Sequence, residues 1–145
     1  MFVFQFVATL ATTLFSGAAV YINLVEHPAR MACGTELAAT VFGPSYRRAA
    51  VMQVGLALAA TIAGIGAWLT DGRVKWLLGS SLIFLVVPFT LVAIRPTTKQ
   101  LLDPTGDTAS ESTHRLLGKW GKLHAVRSIL ALAASVIFLS LVLSS

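Results

Sequence analysis

WLLGSSLIFLVVPFTLVAI occupies positions 76–94 and carries no ionisable side chain. As a helix rising about 1.5 Å per residue it spans about 28 Å, close to the roughly 30 Å hydrocarbon core of a bilayer. Lipid offers backbone groups no hydrogen-bond partners, so a crossing segment is a helix or part of a closed barrel. A continuous apolar run without alternation belongs to the helix. Charge is equally absent from 1–25, 49–70 and 128–145. Four transmembrane helices are therefore expected at about 2–25, 49–70, 76–94 and 123–144. The fold class is all-α, one four-helix membrane domain over 1–145.

Composition agrees. Hydrophobic residues make up 56% of the 145 and charged residues 12%, against roughly 25% charged in soluble domains, and mean hydropathy is +0.79. A soluble chain this short has no core large enough to hide so much apolar surface. The net charge of +5 forms no basic stripe interleaved with aromatics, so nucleic acid is not an expected partner. Topology and anionic headgroups account for it better. The single Cys33 excludes an intramolecular disulfide and a Cys-based zinc cage. The first apolar stretch has no basic leader and is too long for a signal-peptide core, so it reads as a retained helix.

Local signals set the expected boundaries. Pro28 closes the first helix, Gly43-Pro44-Ser45 opens the second and Pro96 closes the third. Loop 1, about 28–45, has room for a short helix after Thr35, and Asp71-Gly72 makes a tight turn. Thr108-Ala109-Ser110-Glu111 has the form of a capping box. No proline follows it, so helix 4 extends beyond the membrane on the side of loops 1 and 3. Those loops and their helix ends carry Arg30, Arg47, Arg48, Arg95, Lys99, Arg115, Lys119, Lys122 and Arg127, whereas loop 2 carries Arg73 and Lys75. The positive-inside rule puts loops 1 and 3 in the cytoplasm and both termini outside, in a bacterial inner (plasma) membrane.

The unusual polar residues gather at that same end. Asn23, Glu26, His27 and Arg30 follow an i, i+3, i+4, i+7 spacing, and Trp120, His124 and Arg127 an i, i+4, i+7 spacing. Each set shares a helix face. Helix 2 adds Tyr46, Arg47 and the deeper Gln53, and helix 3 adds Thr90. Ionisable groups at this depth face the bundle interior and pair with one another, so Glu26 is expected to meet Arg127 or Arg47. Arg115, Lys119 and Lys122 read as headgroup anchors. His27, His124 and Glu26 match the ligand set of a metal triad. Residues 26 and 27 diverge by about 100° on a helix, however, and converge only if Pro28 distorts that turn. The expected site needs no cofactor. An imidazole abstracts a proton, an Arg steadies the anion, and Trp120 stacks on a flat aromatic substrate arriving from the bilayer.

LFSGAAVYINLVEHPAR (14–30), PSYRRAAVMQ (44–53), PFTLVAIRPTTKQLL (88–102) and LLGKWGKLHAVRS (116–128) together resemble a family of four-helix membrane proteins labelled anthrone oxygenase-like and catalogued as a domain of unknown function. For its fungal members the resemblance implies oxidation of an anthrone to an anthraquinone by dioxygen, without flavin or haem. The family's W-x-x-x-H-x-x-R pattern falls on Trp120, His124 and Arg127, and its loop-3 motif on Pro96, Thr97 and Lys99. Two positions depart from it: Gly121 and Thr98 stand where relatives often carry Asn. The expected catalytic set is His124, Arg127, Trp120, Glu26 and His27. The expected substrate contacts are Asn23, Tyr46, Arg47, Gln53, Thr90 and Thr97. The competing expectation is a non-catalytic lipid or quinone binder, or an accessory subunit of a membrane complex.

Overall fold

The computed structural model describes residues 2–144. Neither Pro28 nor Pro96 ends its helix. Both helices continue because the turn before each proline widens into a π-turn, at Ile22–Glu26 and Thr90–Ile94. A proline has no N–H to give, and its ring crowds the carbonyl four residues back. In the π-turns the hydrogen bond shifts to five residues back, from the His27 N–H to the Ile22 carbonyl and from the Arg95 N–H to Thr90. The proline then sits in the first turn of a new α-helical segment, where its missing N–H costs little. Gly43-Pro44-Ser45 likewise does not open helix 2, which already starts at Thr35 and carries Pro44 inside it.

The chain therefore forms four long helices, each long and apolar enough to cross a membrane: helix 1 (Phe2–Ala32), helix 2 (Thr35–Asp71), helix 3 (Lys75–Leu101) and helix 4 (Glu111–Leu143). It is an integral membrane protein. Loop 1 shrinks to a turn at Cys33 and Gly34, whose φ of 99° suits only glycine. Gly72, at φ 78°, caps helix 2 in the left-handed region and donates its N–H to the Trp68 carbonyl. The helix 4 cap is Ser110, whose Oγ accepts the Thr113 N–H. A Thr108–Glu111 capping box does not form, because Glu111 is already helical.

Helices 1–2, 2–3, 3–4 and 4–1 are neighbours, giving an up-down-up-down square. Its middle is lined by small residues, Ala11, Ala19, Ala57, Ala60, Ala131 and Ala134, around Phe15 and Ile83. Small side chains let helix backbones approach closely where lipid supplies no hydrophobic drive between them. Gly64 faces Ser80 and Gly79 faces Phe138 with no space for a Cβ, and Gly66 packs on Phe4. Gly55 has open space. Outward, Val51, Ile62, Val92, Ile129 and Val136 expose well over half their surface, as a lipid-facing belt does. Membrane-depth hydroxyls bond their own helices: Thr61 to the Ala57 carbonyl, Ser80 to Trp76 and Thr90 to Val86.

The loop-2 end is tied by one carboxylate. Asp71 accepts from Gln5 Nε2 at 3.0 Å, Trp76 Nε1 at 2.7 Å and Arg73 Nε at 2.7 Å. Arg73 also donates to the Leu141 carbonyl at 3.0 Å. Helices 1, 2, 3 and 4 thus meet around one acid. Asp71→Ala should lower the melting temperature in detergent by several degrees, whereas Lys75→Ala, on the same turn but exposed, should leave it unchanged. Equal melting of the two variants would remove Asp71 from this role.

Candidate functional site

Asn23 sits in the first π-turn and reaches helix 4 three times. Its Nδ2 donates to the Gly121 carbonyl at 3.0 Å, and its Oδ1 lies 2.7 Å from His124 Nδ1 and accepts from Ser128 Oγ at 2.6 Å. A carbonyl such as Gly121's only accepts, so the amide orientation follows from the network. The oxygen facing His124 is then an acceptor. Nδ1 must carry the hydrogen of the neutral ring, and Nε2 holds the free lone pair.

His27 is arranged oppositely. Its Nδ1 accepts from Arg30 Nε at 3.2 Å, so in the neutral ring the hydrogen sits on Nε2. His27 packs where helix 4 has no side chain, since a Cβ on Gly121 would lie 2.7 Å from its ring. Trp120 lies between the two histidines, 4.8 Å from His124 in a near-parallel stack and 5.4 Å from His27. Phe42 meets Trp120 edge-on at 5.0 Å, and the Arg30 guanidinium stands 5.6 Å from the same ring. Trp120 is 3% exposed, so protein rings and cations already occupy its faces. A substrate has no free face there on which to stack.

The expected pairing of Glu26 with Arg127 or Arg47 does not occur. Glu26 is partly exposed, accepts from Ser45 Oγ at 2.6 Å and lies 3.8 Å from Arg30. Arg127 donates instead to Gln53 Oε1 at 2.9 Å and stands 5.6 Å over the Phe15 ring. Arg47 is exposed and folds back over Gly43. Among the described residues no three His, Cys, Asp or Glu side chains converge as metal ligands. His27, His124 and Glu26 are held apart by Trp120 and Arg30.

What converges is a small cavity of about 20 Å³ lined by Arg30, Phe42, Tyr46, Gln53, Trp120, His124 and Arg127 among others. That is room for about one water. An apolar cleft of about 90 Å³ adjoins it between helices 2 and 3, sharing Tyr46, Ala50, Gln53 and Arg127 and continuing along Val54, Val86, Thr90 and Leu91. Val54 and Leu91 are 50% and 55% exposed, so the cleft opens onto the lipid-facing surface. Thr97 is buried but lines neither space. Arg30, Phe42, Ser45, Ser128 and Gly121 were not among the expected site residues. Arg30 alone had a usable signal, its spacing from Asn23 and His27.

The family profile described as Anthrone oxygenase matches residues 42–137, about two-thirds of the chain. This chain belongs to the anthrone oxygenase family. No curated protein and no solved structure matches it. The region matched to the anthrone oxygenase family contains Tyr46, Gln53, Thr90, Trp120, His124 and Arg127, whereas Asn23, Glu26, His27 and Arg30 precede it. Helix 1 thus adds, from outside the matched region, the residues that orient His124 and flank Trp120.

Gly121→Ala should cost about 1–3 kcal/mol, as overpacked interiors do. His27→Ala should relieve that clash, so the double variant should be less destabilised than the two singles together by about 0.5–3 kcal/mol. Thermal melts of the four proteins in one detergent measure this. Additive losses would mean that residues 27 and 121 do not meet.

Proposed function

We propose that this protein is a cofactor-independent, dioxygen-using oxidase or monooxygenase acting on a membrane-soluble phenolic or quinone-like compound. One observation carries the reading. His124 lines the cavity as a neutral ring with Nδ1 committed to Asn23, leaving Nε2 as a base beside the Arg127–Gln53 pair.

In the proposed reaction Nε2 takes a proton from an acidic carbon flanked by aromatic rings and conjugated to a carbonyl. The charge spreads to the carbonyl oxygen, where the N–H donors of Arg127 and Gln53 oppose it in a site of low dielectric. Dioxygen accepts an electron from this carbanion and bonds to the same carbon. The proton held on His124 passes to the distal oxygen. Loss of the second carbon-bound proton then breaks the O–O bond, leaving a ketone and water. The balance is R₂CH₂ + O₂ → R₂C=O + H₂O, with the carbon oxidised by four electrons. Trp120 serves as the shelf against which His124 is held, and Glu26 and His27 act through Arg30.

Neither space reaches the roughly 300–1,000 Å³ of a drug-sized ligand site. A ring substrate therefore arrives through the cleft between helices 2 and 3 and displaces the Tyr46 and Gln53 side chains. The same small volume favours the second reading, a non-catalytic lipid or quinone binder or accessory subunit. Against its accessory-subunit form stands Arg127, which has no carboxylate partner among the described residues, so the cluster is not a closed salt-bridge network.

For orientation, Arg47, Arg48, Arg95, Lys99, Arg115, Lys119 and Lys122 are exposed at the site end, and only Arg30 and Arg127 are buried. Seven exposed cations there support a cytoplasmic placement of that end.

Oxygen uptake with a panel of anthrones and hydroquinones tests the activity. His124→Gln should keep the fold and lose about 10²–10⁴-fold in rate, the worth of a positioned base. Turnover at the wild-type rate by His124→Gln would make the ring an interior hydrogen-bonder. A wild type inert to the whole panel would favour the binder.

A further inference from the structure

Four buried side-chain nitrogens have no hydrogen-bond partner among the described residues: Gln53 Nε2, Trp120 Nε1 and Arg127 Nε, and Arg30 Nη1, which has only the 3.8 Å ion pair to Glu26. All four belong to residues lining the one small cavity, and each of those residues is more than nine-tenths buried. The remaining unpartnered buried atoms are hydroxyls of Thr9, Thr12, Thr98 and Ser135, none of which lines that cavity. Native interiors leave few donors unsatisfied, and each costs about 1–3 kcal/mol.

Charge is unbalanced in the same direction. Two guanidinium groups line the cavity and no carboxylate does. Glu26 lies 3.8 Å from Arg30 Nη1, does not line the cavity, and accepts from Ser45 Oγ. Gln53 presents its oxygen to Arg127, so its amide N–H₂ is the end left over. The cavity has room for about one water, and its wall sets these donors and two cations against the lone pair of His124 Nε2, so what it is short of is a small body that accepts hydrogen bonds and carries negative charge.

We propose that this cavity is a binding site for one small monovalent inorganic anion, held between Arg30 and Arg127 by the Gln53, Trp120 and guanidinium N–H groups. In the oxidase reading the occupant during turnover is the oxyanion or peroxide formed there, an identification that rests on that reading. Anion binding by the resting protein does not. It is measured without substrate or oxygen consumption, so the two stand or fall separately.

Chloride, a single atom, is the probe, titrated calorimetrically into purified protein at constant ionic strength with gluconate as the bulky counter-anion. One saturable site per chain is expected, displaced by bromide, with a melting temperature that rises with chloride by mass action. Gln53→Glu supplies the missing negative charge beside Arg127. It should weaken chloride binding at least tenfold while melting no lower than the wild type without chloride. Gln53→Leu, which removes the amide donor together with the oxygen that accepts from Arg127 and changes no charge, should weaken binding severalfold and serves if the Glu variant does not fold. Arg47→Gln, at the exposed surface, should bind as the wild type does. Absence of saturable chloride binding, unchanged binding in both Gln53 variants, or equal loss in Arg47→Gln would each overturn the proposal.

Discussion

Hydrocarbon gives a polar atom nothing to bond to, and that constraint organises this molecule. Each hydrogen-bonding group inside the bundle must find its partner in the protein. Thr61, Ser80 and Thr90 turn back onto their own helix carbonyls. The two prolines that would interrupt the ladder are absorbed by π-turns, which move the hydrogen bond by one residue without ending the helix. Asp71, the one acidic side chain at the loop-2 end among the described residues, collects donors from helices 1 and 3 and from an arginine that reaches the fourth. Against this background the polar cavity stands out, because among the described residues the buried nitrogens left without hydrogen bonds all belong to its lining.

The π-turns also explain why the polar end is built as it is. A π-turn inserts one extra residue and rotates the rest of its helix about the axis. In helix 1 this brings Asn23 onto helix 4 while sending Glu26 outward toward Ser45. The lost ion pair between Glu26 and Arg127 is thus a consequence of the backbone that carries the chain past Pro28. With the acid turned away, Arg127 keeps its charge in the interior opposite an amide, and the electrostatic sign of the cavity is set by it.

Helix number and the apolar belt were legible in the sequence because hydropathy over about 20 residues is a strong signal, whereas the helices run well past the expected spans. The clustering of Trp120, His124, Arg127 and Gln53 was legible from helical spacing and the depth of each residue. Three things were not. Pro28 and Pro96 signal helix ends wherever water can take up the freed carbonyls, and nothing in the residue types announces a π-turn instead. Arg47 differs from Tyr46 by one residue, which is about 100° around the helix, and that rotation separates an exposed cation from a cavity wall. Asp71 looked like a turn residue, since its partners Gln5 and Trp76 adjoin it only after folding.

Gly121 joins these observations. The resemblance to the oxygenases led to an expectation of an amide after the tryptophan, and a side chain at 121 would be an i, i+3 neighbour of His124. Here that space belongs to the His27 ring, and an amide comes across from helix 1 as Asn23. His124 is therefore oriented by another helix rather than by its own. Helices 1 and 4 adjoin on the side of the square opposite helices 2 and 3, where the lipid-facing cleft lies. Parting helices 2 and 3 to admit a hydrophobic molecule would disturb Tyr46 and Gln53 but leave Asn23, Ser128 and His124 bonded to one another. For the proposed reaction, this arrangement would keep the wall through which a substrate enters apart from the wall that holds the imidazole.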